Sequence, residues 1–77
     1  MAERSPADLV EFIAKGIVGS PDAVRVNVQD GGRMLELVTS DEDRGRVIGR
    51  QGRVAKAIRA VVSASRGGRD VRIDIVD

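Results

Sequence analysis

Val47-Ile48-Gly49-Arg50-Gln51-Gly52-Arg53 is the stretch on which the reading of this 77-residue chain turns. Two glycines bracket two long polar residues, with a β-branched pair before them and a helical pattern after them. A turn that opens straight into a helix leaves backbone N–H groups unpaired at the positive end of the helix dipole. That arrangement attracts anions, phosphate above all. Glycine at both ends permits positive φ and lets a ligand approach the backbone without meeting a Cβ. Arg50 and Arg53 add formal charge beside it. The residues therefore read as a loop that grips a nucleic-acid backbone.

Spacing alone does not decide the matter, because nine glycines in 77 residues make such patterns common. Gly16-Ile17-Val18-Gly19 has the same spacing, with apolar residues inside and no arginine beside it. It falls where a helix should stop and reads as C-terminal capping.

The distribution of charge separates the two copies further. From Arg44 to Arg69 there are eight basic residues and no acid, while the remainder holds five basic and twelve acidic residues, a balance of −7. A basic block on an acidic body favours oriented binding to a polyanion. A solvated helix face is the plainer explanation of such a run, but this run coincides with the glycine loop.

Composition narrows the function classes. There is no cysteine or histidine, which removes thiolate ligands and the commonest general base and metal ligand. With no Gly-Lys-Ser/Thr phosphate loop and no evident carboxylate pair, an enzyme is a poor reading. No catalytic residue, metal or cofactor is expected. Phe12 is the single aromatic residue, so bases cannot be stacked on exposed rings, as many RNA readers do. No run reaches the length of a membrane span, and no signal-peptide pattern opens the chain. A soluble cytoplasmic protein of one domain, residues 1–77 with a frayed tail at 1–4, is the expectation.

The remaining elements follow from periodicity. Ser5-Pro6-Ala7-Asp8 reads as a helix start. Leu9, Phe12, Ile13 and Ile17 then form an expected buried face. Val24-Arg25-Val26-Asn27-Val28 alternates as a strand, Asp30-Gly31-Gly32 is a hairpin signal, and residues 34–39 return with Leu35 and Leu37 inward. Ser40 or Asp41 caps a short helix over about 42–48. The acids Asp41, Glu42 and Asp43 suit its first turn, a reading favoured over a metal site. A longer helix starts at Gly52 or Arg53. Val54, Ala57, Ile58 and Val61 are expected on its core side, Arg53, Lys56 and Arg59 along one flank, and Ala55, Val62 and Arg66 outward. Gly67-Gly68 ends it, and residues 71–76 alternate as a last strand. The order α-β-β-α-α-β implies an α+β layer, a three-stranded mixed sheet with three helices on one face.

This order, with Ile-Gly-Arg-Gln-Gly-Arg between two consecutive helices, resembles a K-homology (KH) domain of type II. The resemblance covers residues 5–77, and at this length the chain is similar to the small bacterial single-KH RNA-binding proteins of the KhpA (YlqC-like) family. It implies that Gly49, Arg50, Gln51 and Gly52 clamp the sugar-phosphate backbone of about four nucleotides of single-stranded RNA. By position, Val47, Ile48 and Val54 would line an aliphatic groove for the bases, with core packing as the alternative for all three, above all for Ile48 and Val54. Arg44, Arg46, Arg53 and Lys56 would contact phosphates or base edges. The resemblance further implies a homodimer, a second KH-containing partner of the KhpB type, and work as an RNA chaperone or post-transcriptional regulator. The competing readings are a protein-interaction module without RNA binding, and single-stranded DNA in place of RNA.

Overall fold

The computed structural model describes residues 5–65 and 67–76. The tail at 1–4 and Arg66, expected on an outer helix face, lie outside the described residues. Helix α1 spans Pro6–Ile17, and the Ser5 hydroxyl accepts the Asp8 N–H at 3.2 Å. Strands β1 (Arg25–Gln29) and β2 (Met34–Val38) pair antiparallel with Val28 opposite Leu35. Between them Asp30 and Gly31 take φ of 53° and 63°, which turns the chain within three residues. Helices α2 (Asp41–Ile48) and α3 (Arg53–Ala64) then carry the chain over to β3 (Arg72–Val76). The crossover lets β3 pair parallel with β2, Leu35 beside Ile73. The sheet order is β1-β2-β3, with the three helices on one face.

The core lies between that face and the helices. Leu35 and Leu37 of β2 are buried as expected, with Val24 and Ile73 from the flanking segments and Val47 from α2. Both long helices, however, are rotated from the expected phase. In α1 the buried pair is Val10 and Ala14, while Phe12, expected in the core, is 59% exposed. In α3 the buried residues are Ala55, Ile58 and Val62, so Ala55 and Val62 are not outward, and Ala57 and Val61 are not core. The reason is shared. The apolar arc of each helix is wider than its contact with the sheet. Small or branched residues fill that contact, and the remainder of each arc turns toward the other helix. Leu9, Phe12, Ile13 and Ile17 of α1 thus face Val54, Ala57, Ile58 and Val61 of α3 across a shallow groove of about 270 Å³.

The helix ends also differ in kind from the expectation. Helix α1 is closed by Val18, whose N–H bonds the Ala14 carbonyl, and neither Gly16 nor Gly19 takes positive φ. Helix α3 is capped by Ser65, ahead of Gly67-Gly68. Ser40, of the two candidates, caps α2 and accepts the Asp43 N–H at 3.3 Å. Asp43 does more than complement a dipole. Its two carboxylate oxygens accept the Gly19 and Ser20 N–H groups at 3.0 Å each and the Ser40 hydroxyl at 2.9 Å. The segment after α1 is thereby tied to the start of α2.

Candidate nucleic-acid interface

The loop between α2 and α3 is a single tight 3-10 turn, Arg50–Gly52, flanked by glycine at Gly49. Gly49 closes α2 with φ 73° and ψ 170°, its N–H bonding the Gly45 carbonyl at 2.8 Å. A Cβ at Gly49 would lie 2.5 Å from the Val54 Cγ2 and 2.9 Å from its backbone nitrogen. Close packing as well as φ therefore demands glycine there. Gly52, with φ 72° and ψ 15°, has open space around it, so its requirement is backbone conformation alone. Gln51 is itself left-handed at φ 59°. Three positive-φ residues in four reverse the chain so that Arg50 and Gln51 stand at its exposed tip. As the first residues of the 3-10 turn, Arg50 and Gln51 have no intrahelical acceptor for their N–H groups. These donors sit at the N-terminal end of α3, the positive end of its dipole.

Around the tip the charges are mostly unneutralised. Arg50, Arg53 and Lys56 are exposed, and among the described residues no ion pair holds them. Arg46 is exposed but lies 3.6 Å from the Asp43 carboxylate, and Arg44 is part-buried, 3.9 Å from Asp41. The first turn of α2 therefore tempers these two cations and leaves the three at the loop and α3 free. Asp43 is held below its ordinary pKa, first by the Gly19 N–H, then by Ser40, Ser20 and the Arg46 guanidinium, against the opposing push of burial.

A cleft of about 490 Å³ opens beside the loop, lined by Ile48, Gly52, Ala55, Arg59, Asp74, Ile75 and Val76. Of the three aliphatic residues expected to line a base groove, only Ile48 is in it, 39% exposed. Val47 is fully buried against the sheet and cannot reach a ligand. Val54 faces the other way, into the groove between α1 and α3. With about 100° per residue, Gly52, Ala55, Arg59 and Ser63 fall on one face of α3, with Lys56 next to it and Arg53 further round. Arg44, Arg46, Arg53 and Lys56 are not among the residues that line the cleft.

Sequence reading missed the far wall, strand β3, and the side chain that bridges to it. The Arg59 Nε–H donates to the Ile73 carbonyl at 3.2 Å. The Arg72 N–H bonds the Arg33 carbonyl at 2.7 Å, so Arg72 turns toward β2 and Ile73 turns to the open edge. Ile75, two residues on, presents its N–H and C=O along that same edge. The signal available in sequence was the spacing Gly52-Ala55-Arg59, a helical face that starts at the loop itself. The arrangement offers backbone and cationic donors for phosphate beside an apolar cleft with a polar rim. No helix is long and apolar enough to cross a membrane, and no metal-binding group of His, Cys, Asp or Glu occurs among the described residues.

Comparison with known proteins agrees with this geometry. A family model described as KhpA/KhpB, KH domain matches residues 7–75. An RNA-binding protein KhpA of Leifsonia xyli is 49% identical over 73 residues, covering 92% of this chain and 96% of its own length. The corresponding protein of Halalkalibacterium halodurans is 51% identical over 73 residues, with 90% and 96% covered, and that of Mycobacterium tuberculosis is 47% identical over 72, with 91% and 89% covered. No solved structure matches. The match spans both glycines and the three strands up to Ile75, and the chain belongs to the KhpA/KhpB family of KH-domain proteins.

Proposed function

We propose that this chain binds single-stranded RNA, gripping the sugar-phosphate backbone at Gly49–Gly52 and laying bases into the cleft beside Ile48. The observation that carries the reading is the exposed turn of three positive-φ residues at the N-terminal end of α3, with Arg50, Arg53 and Lys56 in no ion pair among the described residues, next to a partly apolar cleft. The relatives named as RNA-binding proteins support RNA as the ligand. Arg46 and Arg44 contribute less, because acids of α2 stand beside them. On this reading the chain binds RNA rather than catalysing a reaction, and works in the cytoplasm as an RNA chaperone or post-transcriptional regulator.

A homodimer fits the groove between α1 and α3, where Phe12 and Val61 expose apolar surface. Two linked sites of about four nucleotides each would raise apparent affinity without new contacts. A family description that covers both KhpA and KhpB supports a KhpB-type partner as the second candidate for that groove.

Fluorescence anisotropy with mixed single-stranded RNA at two salt concentrations tests the reading. The native chain should bind with salt-dependent affinity, and Arg50→Asp/Gln51→Asp should stay folded and lose binding. Equal binding by both would remove the loop from the site. No binding by either, with both folded, would favour a protein-interaction module. The same assay with DNA of matched sequence reports whether the 2′-hydroxyl matters.

A further inference from the structure

Arg59 stands at a junction that the loop reading leaves unused. It lines the cleft beside the loop and also a second one of about 420 Å³, formed with Ser63, Val71, Arg72, Ile73 and Asp74. The two clefts run on along the open edge of β3, and the Arg59 side chain crosses between them. Its Nε–H is committed to the Ile73 carbonyl at 3.2 Å. That bond fixes the side chain between two regular elements. The guanidinium is exposed, and its terminal nitrogens have no ion-pair partner among the described residues.

A guanidinium offers its donors in fixed forks. With Nε taken up by the strand, the end-on fork formed by the two terminal nitrogens remains. It presents two parallel N–H groups and therefore fits two neighbouring acceptors. Single-stranded bases expose both their Watson–Crick and Hoogsteen edges. Guanine presents O6 and N7 side by side, the commonest specific partner of arginine. Adenine keeps N7 but places an amino donor where guanine has O6. Uracil flanks its O4 with an N–H donor. Cytosine offers N3 and O2, a related pair on its other edge. A side chain held in place beforehand loses less conformational freedom on contact than a loose arginine does.

We infer that Arg59 reads the base that crosses between the two clefts and selects one with paired acceptors, guanine foremost. This inference rests on the RNA-binding reading above and adds base choice to a site otherwise gripped by its backbone.

The test measures native-chain binding to an eight-residue oligoadenylate and to the same RNA with one central adenosine replaced by guanosine, cytidine or 7-deazaguanosine. The guanosine RNA should bind about tenfold tighter than oligoadenylate, the usual scale of a bidentate base contact. The 7-deaza analogue, which lacks only the N7 acceptor, should lose most of that gain. Arg59→Lys keeps the charge but not the fork. Its guanosine preference, read as the ratio of its own guanosine and oligoadenylate affinities so that any general loss cancels, should fall to about one. A native chain that binds all four alike overturns the inference and leaves the RNA-binding reading standing, whereas failure to bind any of them overturns both. A 7-deaza RNA equal to the guanosine RNA, or a cytidine RNA tighter than both, removes guanine as the choice. Preference retained in Arg59→Lys removes Arg59. The 7-deaza comparison uses native protein, so the outcome does not depend on a variant folding.

Discussion

The Asp43 carboxylate accepts the Gly19 N–H at 3.0 Å, joining two residues 24 positions apart and holding the start of α2 to the segment after α1. The same side chain takes the Ser20 N–H and the Ser40 hydroxyl. Part-buried donors lose their acceptor when the carboxylate is removed, so Asp43→Ala should lower the thermal midpoint, and Asp43→Asn by less.

The pH dependence follows from the direction of the shift. Asp43 has its pKa lowered on folding from an ordinary 3.8. Its stabilisation is therefore complete above that ordinary value and is lost as pH falls through the lower, folded value. Urea unfolding of the native chain should weaken below about pH 4. Asp43→Asn should flatten that acid limb, and an unchanged limb would assign the acid sensitivity to other carboxylates.

The two glycines of the loop should respond unequally to alanine. At Gly49 a Cβ meets Val54 at 2.5 Å and the backbone is strained as well, so Gly49→Ala should cost about 2–4 kcal/mol. At Gly52 space is open and only the left-handed backbone resists, so Gly52→Ala should cost about 1–2 kcal/mol. Denaturant midpoints of the two variants decide this, and equal losses would contradict the packing of Val54 against Gly49.

Salt dependence should sort the cations. Each single-strand phosphate neutralised contributes about 0.7 to the slope of log affinity against log salt. Lys56→Gln should reduce the slope by about that much. Arg46→Gln should reduce it less, since Arg46 already lies 3.6 Å from Asp43.

The two neighbouring valines of α3 separate fold from assembly. Val62 is fully buried, and Val62→Ala should destabilise by about 2 kcal/mol. Val61 is 49% exposed on the groove beside α1, and Val61→Glu should leave stability nearly unchanged. In sedimentation equilibrium it should shift a dimer toward monomer, and a dimer that persists would move the contact to another face.

Much of this protein is legible in its residues alone. Alternation placed the strands to within a residue or two, Ser5 marked one helix start and the pair Ser40 and Asp41 another, and the glycine pair with its arginines marked the loop. These signals are local: a cap, a turn or a period of two is set by neighbours in the chain. The phases of α1 and α3 were not local. Each helix has an apolar arc wide enough to serve two surfaces, and only the docked sheet decided that Val10, Ala14, Ala55 and Val62 are covered while Phe12 and Val61 are not. The role of Asp43 needed Gly19 brought beside it. The cleft wall needed the parallel return of β3, which sets Ile73 against Arg59. Sequence by itself determined which helices and strands form and that the chain bends through positive φ at Gly49 and Gly52. Tertiary structure decided which faces remain open, because burial depends on partners that the chain brings together only by folding.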